Sequence, residues 1–206
     1  MKTERLELAA ALLLALAAVS TAWSGYQSSR WHGRQADAFA KASATRVEST
    51  RASDVANRQI QIDVATFVQW VDAYAREDAF LTDFYRKRFR PEFGTAVDAW
   101  VATRPLKSPD APLTPFAMPE YKLASAEEAE QLEATASAAA DVARVNIQRA
   151  DNYTLCLVLF SAALFFAGFS TRFQSPRIRA VTVALGWLVF VGTVVWLATF
   201  PVSLAV

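Results

Sequence analysis

The sequence predicts an all-α membrane protein, with three transmembrane helices and a long-helix, coiled-coil-like ectodomain between spans 1 and 2. Three observations predict it. Apolar residues make up 53% of the 206 residues, with only 6 Gly. Leu8 to Tyr26, Asn152 to Thr171 and Ala180 to Val206 carry no Asp, Glu, Lys, Arg or His. Between the first two of these stretches, no Gly or Pro occurs from Arg34 to Arg90. A membrane helix needs roughly 20 apolar residues to cross the hydrocarbon, and each charge-free stretch is of that order.

The first stretch places an N-terminal transmembrane helix in 1–26. Lys2 and Arg5 ahead of Leu8–Val19, with Ala18-Val19-Ser20 behind, resemble a signal peptide. Glu4 and Glu7 spoil the basic region, and the apolar stretch runs past the cleavage position to Tyr26, so an uncleaved anchor is expected. Trp23, Tyr26 and Trp31 cluster at the outer end as an interfacial aromatic belt does.

Residues 27–151 form the soluble domain. Arg34 to Arg90, dense in Ala, Arg, Glu and Gln, reads as one long helix continuing from span 1, with a bend the sequence does not locate. Ala36, Ala40, Ser43, Val47, Thr50 and Asp54 make a small-residue seam along it. Ile60, Val64, Phe67, Val71, Tyr74, Leu81 and Tyr85 continue the spacing with large side chains, interrupted at Asp78. Pro91 interrupts the chain, a short helix is predicted over 93–103, and the prolines of 105–119 predict an extended loop without regular structure. A second long helix starts at Ser125, where Ser125-Ala-Glu-Glu128 has the pattern of a capping box. Its seam is Ala129, Leu132, Ala136, Ala139, Ala143, Ile147 and Ala150. The two small seams are expected to pair as an antiparallel stalk, with Ala129, Ala136, Ala139 and Ala143 at the contact, or to pack against neighbouring subunits, and the sequence does not separate the two. Residues 152–206 complete the molecule as a two-helix transmembrane hairpin.

Orientation follows from the connection Arg172-Phe-Gln-Ser-Pro-Arg-Ile-Arg179. Its three arginines, Arg172, Arg177 and Arg179, and its lack of acids make it the cytoplasmic loop. The N-terminus is then cytoplasmic and the soluble domain extracytoplasmic. Arg30 and Arg34 at the other end of span 1 pull against this assignment.

Composition excludes several functions. The single Cys156 lies within an apolar stretch, and one Cys with one His cannot build a zinc or haem site. Residues 30–151 carry 16 Lys+Arg against 18 Asp+Glu, a balance of −2 that does not suit a nucleic-acid partner. The basic run Arg86-Lys-Arg88 with Arg90 reads as cations at a helix carboxyl end, and Glu127, Glu128, Glu130 and Glu133 as a helix amino terminus rather than a metal site. There is no phosphate-binding loop, no nucleophile beside a base, and no charge within a span for a proton relay. No catalytic residue, cofactor or metal is expected.

Trp23-Ser-Gly-Tyr-Gln27 is echoed by Trp31-His-Gly-Arg-Gln35. Glycines on a helix allow a second backbone to approach, so Trp23, Gly25, Trp31 and Gly33 are read as a helix-packing collar where span 1 leaves the bilayer. With this repeat and Ser170-Thr-Arg-Phe173, the chain resembles uncharacterised bacterial membrane proteins built as one span, a helical middle segment and a two-span hairpin. The resemblance implies a bacterial inner-membrane setting and no activity. Magnesium channels also lead a long helix into a C-terminal hairpin, but Arg172–Arg179 stands where their Gly-Met-Asn loop would be. The leading expectation is a non-enzymatic homo-oligomer acting in assembly, as a scaffold or in protein binding, with membrane lipid around its spans. An oligomeric ion channel or pore is the second reading, and an auxiliary subunit of a larger complex the third.

Overall fold

A computed structural model describes residues 2–203, and among them the regular structure is helical throughout. Five α-helices follow one another: α1 (Lys2–Ala75), α2 (Ala79–Arg86), α3 (Pro91–Ala102), α4 (Ala124–Ser170) and α5 (Pro176–Leu197). Three of them, α1, α4 and α5, are long and apolar enough to cross a membrane.

Packing divides the chain into two compact units, both threaded by α1 and α4. Unit 1 comprises Met1–Lys41 with Ala138–Val206, and unit 2 is Ala42–Ser137. The predicted boundaries at 26/27 and 151/152 follow charge. The compact units divide elsewhere because small side chains go on packing beyond the last apolar residue.

The core of unit 1 is built from Leu13 and Ala17 on α1, Cys156, Phe160, Ala163 and Ala167 on α4, and Phe190 on α5. In hydrocarbon, apolar side chains gain little by leaving lipid, so association depends on tight packing of small residues. Gly186 provides the closest approach. A Cβ there would lie 2.7 Å from Leu13 Cδ2, 3.3 Å from Phe166 Cβ and 3.5 Å from the Ala163 carbonyl oxygen. The Trp187 indole on α5 also donates to the Ala9 carbonyl of α1 at 3.3 Å.

In unit 2, α1 and α4 run antiparallel and close together. Ser49 Oγ donates to the Ala129 carbonyl at 2.9 Å, and Ser125 Oγ lies 2.9 Å from Gln59 Oε1. A row of buried positions on α1 recurs every seven residues, at Ala42, Ser49, Ala56, Asp63 and Trp70, the repeat of a coiled coil, with Phe67 and Ala73 buried beside its end. The seam predicted for α1 is one position out of register: Ala36, Ala40, Ser43, Val47, Thr50 and Asp54 are all exposed. Two rows of small residues lie side by side here, and composition does not choose between them. Phe67 and Trp70, farther along the same helix, select the row that faces inward. The seam of α4 has Ala129 and Ala136 buried in unit 2, Ala143 and Ala150 buried in unit 1, and Ala139 half-buried.

The long helix predicted over 34–90 stops at Ala75. Glu77 adopts a left-handed φ of 59°, and Asp78 N-caps α2 by accepting from the Leu81 N–H at 3.0 Å. Asp78, the residue that interrupts the apolar seam, therefore marks the break. The helix predicted over 93–103 begins earlier, with Pro91 in its first turn, where a missing N–H costs nothing. The proline loop is not wholly irregular, since Pro115–Ala117 form a 3-10 turn. Ser125 does not act as a cap. Helix α4 begins one residue before it, and its hydroxyl reaches across to Gln59.

Candidate functional site

Two places gather polar and aromatic groups in ways that packing alone does not require. One is the head of unit 2. Its core is aromatic, with Phe67 and Trp70 of α1 against Phe93, Val97 and Trp100 of α3, closed by Phe116 and Tyr121. The rings meet edge-on and stacked: Phe67 with Trp100 at 5.5 Å and 78°, Phe93 with Phe116 at 5.2 Å and 8°.

Within this core lies one carboxylate. The Asp63 side chain is 2% exposed. Arg90 donates to it through Nε at 3.1 Å and Nη2 at 2.5 Å, and the Tyr121 hydroxyl donates to the same carboxylate at 3.0 Å. Hydrogen bonding to Asp63 holds Arg90 above the ordinary guanidinium range, although partial burial opposes it. Burial first, and then the bond to Asp63, push the Tyr121 phenol well above its ordinary value of about 10. The three residues come from α1, from the turn before α3 and from the segment before α4, so a single charge ties the head together.

The basic run is engaged within unit 2. Arg86 pairs with Asp98 and donates to the Gly94 carbonyl, Lys87 pairs with Asp83, Arg88 lies over the Phe84 ring, and Arg90 holds Asp63. Arg86 packs closely over Gly94, where a Cβ would fall 2.5 Å from Arg86 Nη1 and the guanidinium would have to shift to admit it.

Grooves open beside this core. One of about 590 Å³ is lined by Trp70, Tyr74, Ala79, Thr82, Asp83 and Val101 among others. A second, of about 360 Å³, shares Tyr74, Glu77 and Val101 and extends to Arg104, Leu106 and Lys107. The Trp70 indole N–H meets no acceptor among the described residues. Phe80, which follows the groove residue Ala79, is 76% exposed, and Leu113, which lines a separate groove with Trp100 and Leu106, is 93% exposed.

The other place is the end of the apolar bundle in unit 1. Trp31 is buried against Ala150 and Tyr153. The guanidinium groups of Arg34 and Arg149 lie 4.9 and 4.6 Å from its ring centre. Gln27 clasps the backbone of Ser203, donating to its carbonyl at 3.2 Å and accepting its N–H at 2.8 Å. Ser28 Oγ meets Thr154 Oγ1 at 2.9 Å, and Tyr153 donates to the Pro201 carbonyl at 3.2 Å. His32 Nδ1 lies 2.9 Å from the Ser28 carbonyl, which can only accept, so Nδ1 carries a proton.

The four residues read as a collar divide into two pairs. Trp31 and Gly25 face inward, and a Cβ on Gly25 would lie 3.3 Å from Leu157 Cδ1 of α4. Trp23 is exposed and packs with Tyr26 at 6.0 Å, while Gly33 has open space around it. At the opposite end of the bundle Arg172 and Arg177 are exposed, and Arg179 donates to Glu7 at 3.1 Å. Sequence reasoning missed Asp63, Arg90, Tyr121, Arg149 and Gly186. Asp63 alone had a visible signal, as the one charged residue in the seven-residue row that leads to Trp70.

No family model, curated protein or solved structure matches this chain. Its geometry alone carries the functional reading.

Proposed function

We propose that the protein is a non-enzymatic, homo-oligomeric scaffold of the bacterial inner membrane, and that its helical ectodomain binds a segment of another protein. The observation that carries this reading is the pair of grooves sharing Tyr74, Glu77 and Val101, whose linings combine aromatic Trp70 and Tyr74 with charged Asp83, Arg86, Arg104 and Lys107. Interaction sites characteristically combine an apolar centre with a polar edge. Exposed Phe80, next to the groove residue Ala79, and exposed Leu113, in a separate groove with Trp100 and Leu106, offer further apolar contacts for a partner. The three apolar helices would hold this face at a membrane.

The orientation proposed places the N-terminus in the cytoplasm and unit 2 outside. Its support is charge: Lys2, Arg5, Arg172, Arg177 and Arg179 flank one end of the spans, against Arg30, Arg34 and Arg149 at the other. Two measurements test the proposal. In a Cys156→Ala background, Asp110→Cys should react with an impermeant maleimide in intact cells and Gln174→Cys should not; the reverse pattern inverts the orientation. A photocrosslinking side chain placed at Phe80 or Leu113 should give adducts in cells, whose mass separates a second copy from a different protein. The binding role fails if neither position yields an adduct while the protein sits in the membrane.

A further inference from the structure

Among the described residues five arginines are partly buried: Arg30, Arg86, Arg90, Arg149 and Arg179. Three of them have a carboxylate, namely Asp98 for Arg86, Asp63 for Arg90 and Glu7 for Arg179. Arg30 and Arg149 form no ion pair. Arg149 lies over the Trp31 ring, exposed Arg34, also without an ion pair, leans on the same ring, and Arg30 precedes Trp31 in the helix. Arg30 Nε is buried and meets no acceptor, and neither does Trp31 Nε1. The nearest acids in sequence, Asp37 and Asp151, are exposed and pair with none of these cations. Arg30, Arg34 and Arg149 thus bring three guanidinium groups and Trp31 one further N–H donor to this end of the bundle, with no anion paired to them among the described residues. A partly buried cation is costly unless it is paired.

Its depth indicates what supplies the anion. Tyr26 ends one charge-free stretch and Asn152 begins the next. At about 1.5 Å per helical residue, Arg30 lies about 6 Å beyond the first, and Arg149 about 4.5 Å beyond the second. The headgroup layer on each side of the hydrocarbon is about 5–7 Å thick. Arg34 lies about 12 Å out, but its guanidinium folds back onto Trp31. With the spans inserted, Arg34 and Arg149 meet over Trp31 at the level of lipid phosphate, and Arg30 lies at the same depth.

We propose that the collar around Trp31 binds the phosphodiester of an anionic phospholipid, with Arg30, Arg34 and Arg149 donating to its oxygens and Trp31 as the platform that orients the two stacked guanidiniums. Guanidinium and phosphate match as fork and fork, and the attraction strengthens where water is scarce. The site explains why three arginines stand at the end of the spans that the charge bias would leave poor in them. The inference rests on the spans being inserted, so insertion is measured separately.

The test is a lipid titration of the purified, delipidated full chain by native mass spectrometry, comparing dioleoyl phosphatidylglycerol with dioleoyl phosphatidylcholine. Phosphatidylglycerol should bind the wild type more tightly. Each interfacial arginine is worth about a fivefold change in affinity, so Arg34→Gln with Arg149→Gln should weaken phosphatidylglycerol binding about 25-fold. Arg144→Gln removes the same charge from a side chain paired with Asp141, and should change binding less than twofold. If the double variant does not fold, Arg34→Gln alone at an exposed position should still give the fivefold loss. Equal binding of the two lipids, or an equal loss in the Arg144 variant, overturns the proposal. So does displacement of phosphatidylglycerol by millimolar inorganic phosphate, which would assign the site to a free anion. Release of the wild type from membranes by alkaline carbonate would instead refute the membrane reading itself.

Discussion

Removing the buried charge at the centre of the head should destabilise the protein in an order that burial determines. Asp63 is almost wholly enclosed, while the Arg90 side chain is 25% exposed and has Glu92 within 3.6 Å. Breaking a buried ion pair from one side costs about 3–5 kcal/mol, because the partner is left uncompensated. In Asp63→Ala the orphan is Arg90, which keeps water and Glu92, so the loss should sit at the low end, about 3 kcal/mol. In Arg90→Ala the orphan is an enclosed carboxylate with only the Tyr121 hydroxyl, and the loss should approach about 5 kcal/mol. Tyr121→Phe removes one hydrogen bond to a charged group, about 1.5–3 kcal/mol. For a chain of this length 1 kcal/mol corresponds to about 2–4 °C in Tm, so Asp63→Ala should melt about 6–12 °C below the wild type. Near-ultraviolet circular dichroism of the full chain in detergent follows the aromatic core directly. An Asp63→Ala protein that melts within a degree of the wild type would refute the account, as would one that melts below Arg90→Ala.

Three further outcomes are expected. Both glycines lie inside helices, so Ala gains up to about 1 kcal/mol of propensity at each; at Gly186 overpacking against Leu13 and Phe166 costs about 1–3 kcal/mol, so Gly186→Ala should be less stable than Gly33→Ala, which has open space around it; thermal melts of the pair decide it. Ala136→Leu, at a fully buried position, should also cost about 1–3 kcal/mol by chemical denaturation, while Glu133→Leu, which loses exposed contacts with Arg46 and Ser137, should stay within about 0.5 kcal/mol. Because the folded-state pKa of Tyr121 is raised, its unfolded form ionises first, so its stabilising contribution is intact below about pH 10 and declines as pH rises further. Stability measured from pH 9 to 11.5 should therefore fall more steeply for the wild type than for Tyr121→Phe, and parallel curves would refute the coupling.

The helical class, the three apolar helices and the two long rods were legible in the amino-acid sequence, because each depends on local properties. Absence of Gly and Pro, abundance of Ala, and charge-free runs near bilayer length act residue by residue and need no partner. On α4 the alanines at Ala129, Ala136 and Ala143 stand out on one face in the sequence and are buried, while Ala139 is half-buried. What required the tertiary structure was every choice between equivalent local options. Two neighbouring rows of small residues on α1 satisfy the same periodicity, and only docking of Phe67 and Trp70 against α3 decides which is buried. Asp63 looks like a flaw in a seam until Arg90 and Tyr121, 27 and 58 residues away, complete its hydrogen bonds. Arg149 looks like any solvated cation until α4 brings it onto Trp31, more than a hundred residues earlier in the chain. Periodicity reports which faces a helix has. The energy that selects among them comes from side chains remote in sequence, and it exists only after the chain has folded.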